Sequence, residues 1–265
     1  MKTGYLRHHL ITLFVAILCV TLEGRVVVAK SNATNMCAVN SGLNPACPLT
    51  ATGVSLRSTT LNATATQTNL NFSLERALHG RTQVLILLPA YNALTITHVG
   101  SAHGVGDLSI GLSHVFLAHH GYLMNTIGGM ISAPTGANAF SAGRVTLDPF
   151  YALSYAPLRN VQLVFTLDYA FGVGGTRLPF APRVQILQFA PRAIIDLGQQ
   201  FFISGSATQA RVSGDYRYTS YVANATAGFV GHHASLSLSY SAPLGLYSRN
   251  ITFYHAVTLN LTMRP

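Results

Sequence analysis

The sequence predicts an all-β fold, a single antiparallel transmembrane β-barrel of about twelve strands. Three features carry that prediction: strict alternation of apolar and polar residues, a polar face made of Ser, Thr, Asn and Gln, and only 9% charged residues in a chain that is 49% hydrophobic. In VQLVFTLDYAF, Val161, Leu163, Phe165, Leu167, Tyr169 and Phe171 share one parity, while Gln162, Val164, Thr166, Asp168 and Ala170 share the other. That is the two-residue period of a strand with two different faces. The pattern recurs: Leu236, Leu238 and Tyr240 oppose Ser235, Ser237, Ser239 and Ser241, and Leu70, Phe72 and Leu74 oppose Asn69, Asn71, Ser73 and Glu75. A soluble sheet also alternates, but its wet face is studded with charges. A barrel that meets lipid outside, and water or packed polar side chains inside, has no need of them.

Taken in order, residues 1–29 read as an export signal. Lys2, Arg7, His8 and His9 precede the apolar run Leu10 to Leu22, and Val27-Val28-Ala29 offers a small residue for cleavage. Glu23 and Arg25 end the run short of the ~20 residues a spanning helix needs. Residues 30–52 form a leader on the periplasmic side that carries Cys37 and Cys47. In an exported chain, two cysteines this close together are expected to form a disulfide.

Residues 53–265 form the barrel, with strands expected near 53–61, 65–78, 81–92, 106–118, 121–134, 145–157, 161–172, 183–197, 201–213, 220–232, 234–246 and 250–263. Their connections alternate. HG at 79–80, HHG at 119–121, LRN at 158–160, GQQ at 198–200 and HH at 232–233 are tight, and Gly-rich polar loops separate them. Bacterial outer-membrane barrels have short periplasmic turns, long outer loops and an even strand number. Counting back from Met263 therefore requires the weakly patterned first strand.

At GVGDLSIGLSHVF (104–116) and GGMISAPTG (128–136) the sequence resembles the outer-membrane family of MetA-pathway phenol-degradation proteins, regarded as transporters. The matching residues are Gly106-Asp107 at one strand start and Pro134-Thr135-Gly136 at the end of the next, and the resemblance runs from about residue 65 to the C-terminus. It implies a barrel in the bacterial outer membrane that helps small, often aromatic or apolar molecules cross. One departure concerns the end of the chain, LTMRP, where such barrels carry an aromatic residue that assists insertion by the outer-membrane assembly machinery.

Composition excludes other classes. The net charge of +9 comes almost wholly from Arg scattered along the chain, without the clustered basic patch of a nucleic-acid binder. Such Arg suits loop tips and rims, where its head reaches water or lipid phosphate. His79, His119, His120, His232 and His233 fall in short turns, where adjacent side chains point apart, so no metal site is expected. His114 and His255 fall on apolar parities and are expected to face lipid. Ser113 and His114 face opposite ways and no Gly-x-Ser-x-Gly elbow exists, so neither an enzyme nor a cofactor is expected. The inward parity carries Glu75, Asp107, Asp148, Asp168, Arg192 and Asp196, the expected lumen-lining set. These features point to a channel or transporter for a small solute. A barrel enzyme acting on outer-membrane lipid and an adhesive or structural barrel are the rival readings.

Overall fold

The computed structural model describes residues 44–48, 50–78, 81–119, 122–174, 183–198, 200–245 and 253–264. The expected signal peptide, Cys37 and the turn residues His79 and His120 lie outside them. The strands are β1 (Ala51–Asn62), β2 (Ala65–Leu78), β3 (Thr82–Ile96), β4 (Gly100–Gly104), β5 (Leu108–His119), β6 (Leu123–Ala133), β7 (Val145–Leu158), β8 (Val161–Val173), β9 (Val184–Asp196), β10 (Phe201–Gly214), β11 (Tyr218–Val230), β12 (Ala234–Pro243) and β13 (His255–Met263).

Twelve of them close a ring. Sequential neighbours pair antiparallel around the sheet, β3 passes directly to β5, and β1 pairs with β13 from Thr52↔Met263 to Thr60↔His255. The thirteenth, β4, pairs only with the distal part of β3 and extends a hairpin beyond the wall. The twelve strands expected from periodicity are the twelve of the ring, and β4 is an addition.

One end carries the short turns and the other the longer loops, with two exceptions. The β1–β2 turn at Ala63-Thr64 and the three-residue β10–β11 connection are both tight although they lie at the long-loop end. The first is closed by Asn62, whose Oδ1 accepts from Thr64 N at 2.9 Å, a local Asx turn.

Burial is inverted relative to a soluble protein. Leu238, at mid-strand, is 55% exposed, whereas Ser154 is 0% and Gln162, Thr126, Ser220 and Ser235 are all buried. Large apolar side chains in contact with the surroundings around the whole ring identify those surroundings as hydrocarbon. Aromatic residues bound this belt: Phe201, Phe229 and Tyr155 toward the short turns, Tyr169, Tyr221 and Tyr240 toward the long loops. Along β11, Tyr221 and Phe229 lie eight residues apart, about 26 Å at 3.3 Å per residue, which a ~40° tilt shortens to roughly 20 Å.

The lipid-facing histidines are satisfied locally. His114 Nδ1 is 2.9 Å from Thr82 Oγ1, and His255 Nε2 is 3.2 Å from Thr60 Oγ1 while its ring stacks on Tyr240. Inside, close packing exploits glycine: a Cβ on Gly128 would lie 2.5 Å from the Phe150 ring and 2.8 Å from Leu112 O.

Leu238→Arg is expected to cost ~2–4 kcal/mol of membrane-embedded stability, and the lumen-facing Ser237→Arg much less. Urea unfolding of vesicle-inserted protein measures both, and equal losses would contradict the assignment of the two faces.

Candidate functional site: the barrel lumen

Along the inner wall, polar residues meet across strands. Asn71 Nδ2 donates to Ser55 Oγ, Asn224 Nδ2 to Ser206 Oγ, Asn260 Nδ2 to Ser237 Oγ, and Asn69 Nδ2 to Asn92 Oδ1. Short polar side chains on neighbouring strands satisfy one another at this spacing without needing bulk water.

The floor of the lumen is a segment that strand periodicity does not reveal. Residues 44–48 lie inside the barrel, with Asn44, Ala46 and Cys47 buried and Ala46 at 0% exposure. Asn44 shapes the turn: its Oδ1 accepts from Ala46 N at 2.9 Å and its backbone O from Cys47 N at 3.1 Å. The same side chain donates to Ser154 Oγ at 3.0 Å, and Thr126 Oγ1 donates to Ala46 O at 3.1 Å. Ala46 and Cys47 then pack on Val115, Met124 and Ala152. Cys47 is disulfide-bonded, and Cys37, its expected partner, lies outside the described residues. The only sequence signal for this floor is the Asn44-Pro45 dipeptide, which marks a turn but not its location.

Above the floor is a cavity of ≈ 490 Å³, bounded by Asn44, Pro45 and Cys47 below and by Glu75, Asp148, Asp168 and Arg192 on the walls. Its charged residues form two tiers. Toward the short turns, Glu75 accepts a hydrogen bond from Gln83 Nε2. Toward the long loops, Asp148 and Asp168 project from adjacent strands. There the β7–β8 register runs from Leu147↔Phe171 to Phe150↔Asp168 and skips Asp148 and Pro149. Proline has no N–H to give to that ladder. The buried Asp148 Oδ1 accepts no hydrogen bond among the described residues. Asp168 faces Gln188 on β9, and Arg192 lies four residues further along β9 opposite Val164, about 13 Å at 3.3 Å per residue. Phe150, Leu85 and Ile186 give the same cavity apolar surface.

Two residues of the expected lumen set do not line this cavity. Asp196 sits at the short-turn end of β9 on its inward parity, opposite the buried Phe202. Asp107, just before β5, accepts from Gly136 N at 2.9 Å and Ala142 N at 2.8 Å. Thr135 Oγ1 accepts from Leu108 N at 3.0 Å, and Ala137 N donates to Val105 O at 2.9 Å. A Cβ on Gly136 would come within 2.7 Å of the Gly106 carbonyl carbon, so glycine permits this approach. The Gly106-Asp107 and Pro134-Thr135-Gly136 motifs are therefore the two halves of one latch, which holds the 134–144 loop at the long-loop mouth.

The architecture is a closed twelve-stranded barrel of the bacterial outer-membrane type, with a lumen floored from within. No protein-family model and no curated protein sequence matches the chain. Among solved structures, an outer-membrane channel from Pseudomonas putida F1 is similar with a TM-score of 0.68 at 14% identity, covering 85% of this chain and 99% of that one. The NanC porin matches with 0.57 at 10% identity, over 80% of this chain and 100% of its own, and the KdgM porin with 0.53 at 7% identity, over 80% and 99%. At these identities the likeness is one of fold.

Asp107→Ala removes two charge-assisted hydrogen bonds, each worth about 1.5–3 kcal/mol. The expected outcome is faster tryptic cleavage after Arg144, the buried last residue of the 134–144 loop, whose side chain packs against Gly172, with unchanged heat-modifiable migration of the barrel.

Proposed function

We propose that the protein is a passive channel of the bacterial outer membrane for small molecules. The observation that carries this reading is the ≈ 490 Å³ cavity inside a closed membrane barrel, walled by carboxylates and by apolar side chains together. Its volume suits a small organic solute. Carboxylates in a narrow, low-dielectric tube create a negative potential that attracts cations and repels anions. Phe150, Leu85 and Ile186 offer contact to an aromatic or aliphatic body. The substrates that fit both features are small molecules with an apolar or aromatic part that are neutral or positively charged. The barrel likeness to outer-membrane channels and porins supports the reading, as does the family resemblance of the latch motifs. Because the turn at 44–48 narrows the path toward the short-turn end, passage requires a solute small enough to pass beside it or a shift of the turn.

In a planar bilayer under a salt gradient, the reversal potential is expected to show cation preference, and Asp148→Asn combined with Asp168→Asn to lower it without loss of folded barrel. Unchanged selectivity would remove the carboxylates from the mechanism.

Deletion of residues 30–48 is expected to raise single-channel conductance. If both the wild type and this truncation are electrically silent, the channel reading fails. Phospholipid hydrolysis in liposomes would then favour a barrel enzyme, and loop-dependent binding to a surface partner an adhesive one.

A further inference from the structure

Acids are kept off the outer wall, whereas arginine occurs on both faces, with Arg192 on the cavity wall. Among the described residues the acids are Glu75, Asp107, Asp148, Asp168, Asp196 and Asp215, and none lies on the outward parity of a strand. Arginines do face outward, and past Lys30 every Lys or Arg position in the chain is Arg.

At the long-loop end three of them converge, one within β10 and one immediately before each of β9 and β11. Arg211 is on β10, opposite Leu187 of β9 and Thr219 of β11. Its parity is that of the exposed Ile203 and Phe201. Arg217, two residues before Thr219, is one diagonal step away, roughly 7–8 Å between Cβ atoms. Arg183 continues the outward parity of Gln185, Leu187 and Phe189 at the head of β9. It lies about 12 Å from Arg217, from a strand spacing of ~4.8 Å and ~3.3 Å per residue. All three are exposed.

The surrounding aromatic residues give the depth of this group. Tyr221 faces Gln209 on β10, two residues below Arg211, and Tyr169, directly opposite Leu187, donates from its hydroxyl to Gln185 Oε1 at 3.0 Å. Exposed Tyr216 stands at the hairpin tip. Tyrosines of this kind mark the boundary between hydrocarbon and headgroups, so the guanidiniums extend from the boundary into the headgroup layer. The nearby acid, Asp215, accepts from the backbone N of Arg183 at 2.6 Å, which leaves three guanidiniums against one carboxylate.

We infer that the outward patch of Arg183, Arg211 and Arg217 on β9–β11 binds the phosphate groups of lipid headgroups in the leaflet on the long-loop side. Guanidinium is weakly hydrated and meets phosphate oxygens in bidentate fashion. Spacing over three strands suits a headgroup with more than one phosphate better than a single free ion. This site is on the outer wall and does not depend on the channel reading.

The test is native mass spectrometry of the folded full-length protein with bisphosphorylated lipid A and with its dephosphorylated form. Preferential retention of the phosphorylated form is expected. Arg183→Gln, Arg211→Gln and Arg217→Gln together should weaken it on the order of a hundredfold, and Arg211→Gln alone about fivefold. Arg76→Gln, Arg81→Gln and Arg159→Gln, at the opposite end, should leave it within a few-fold of wild type. Heat-modifiable migration confirms folding, and the single variant serves if the triple one does not insert. Equal retention of both lipids, equal loss in the two triple variants, or displacement by inorganic phosphate at concentrations comparable to the lipid would overturn the assignment.

Discussion

Everything in this molecule follows from the pairing of β1 with β13. Hydrocarbon offers no partner to a backbone N–H or C=O, and each unsatisfied group there costs several kcal/mol. An open twelve-stranded sheet would present two such edges. The seam from Thr52↔Met263 to Thr60↔His255 removes both, and it places Leu56 beside Leu259 so that the belt continues across the closure. The seam joins the weakest pattern in the barrel to β13, so the barrel cannot close until these two strands, far apart in sequence, have both formed. Prolines occur where the ladder is relaxed. Pro89 lies beside the bulge between Leu70 and Asn71, and its carbonyl accepts from Gly106 N at 2.8 Å where β3 and β5 part.

Once the outside is apolar, the polar half of each strand must be satisfied within. Short Ser, Thr and Asn side chains do this with cross-strand bonds, leaving a lumen narrow enough for a five-residue turn to cross. Asn44 is well suited to hold that turn: one amide closes it through Oδ1 and fastens it to the wall through Nδ2. The carboxylates then stand in the space above the floor, away from lipid, on a wall they share with Phe150, Leu85 and Ile186.

The strands were legible because periodicity is imposed by two different solvents. β2, expected at 65–78, is found at Ala65–Leu78, and the parity that put Glu75, Asp148 and Asp168 inward puts them on the cavity wall. β4 was missed because GSAHG is too short and too small in side chain to alternate. The first strand came from counting, since closure demands an even number even where the pattern is faint. Asp107 shows the limit of parity: it stands just outside β5, and its partners are loop amides 29 and 35 residues away in the chain. The floor was illegible for a related reason, because five residues with no repeat say nothing of which side of a membrane barrel they enter.

The absence of lysine from the barrel and the inward confinement of its acids follow from one comparison of environments. A carboxylate on the outer wall would face hydrocarbon at mid-strand and lipid phosphates at the rims, so it is repelled or desolvated at every depth. An arginine there is repelled only near the centre, because its long stem covers apolar surface while its head reaches the phosphates. Guanidinium also loses less than ammonium when its water is stripped. A barrel with arginine at its rims and its acids kept within therefore reflects two surroundings acting on the two faces of the same strands. The inner face accepts both signs, since Arg192 shares the cavity wall with Glu75, Asp148 and Asp168, and the outer face accepts only one.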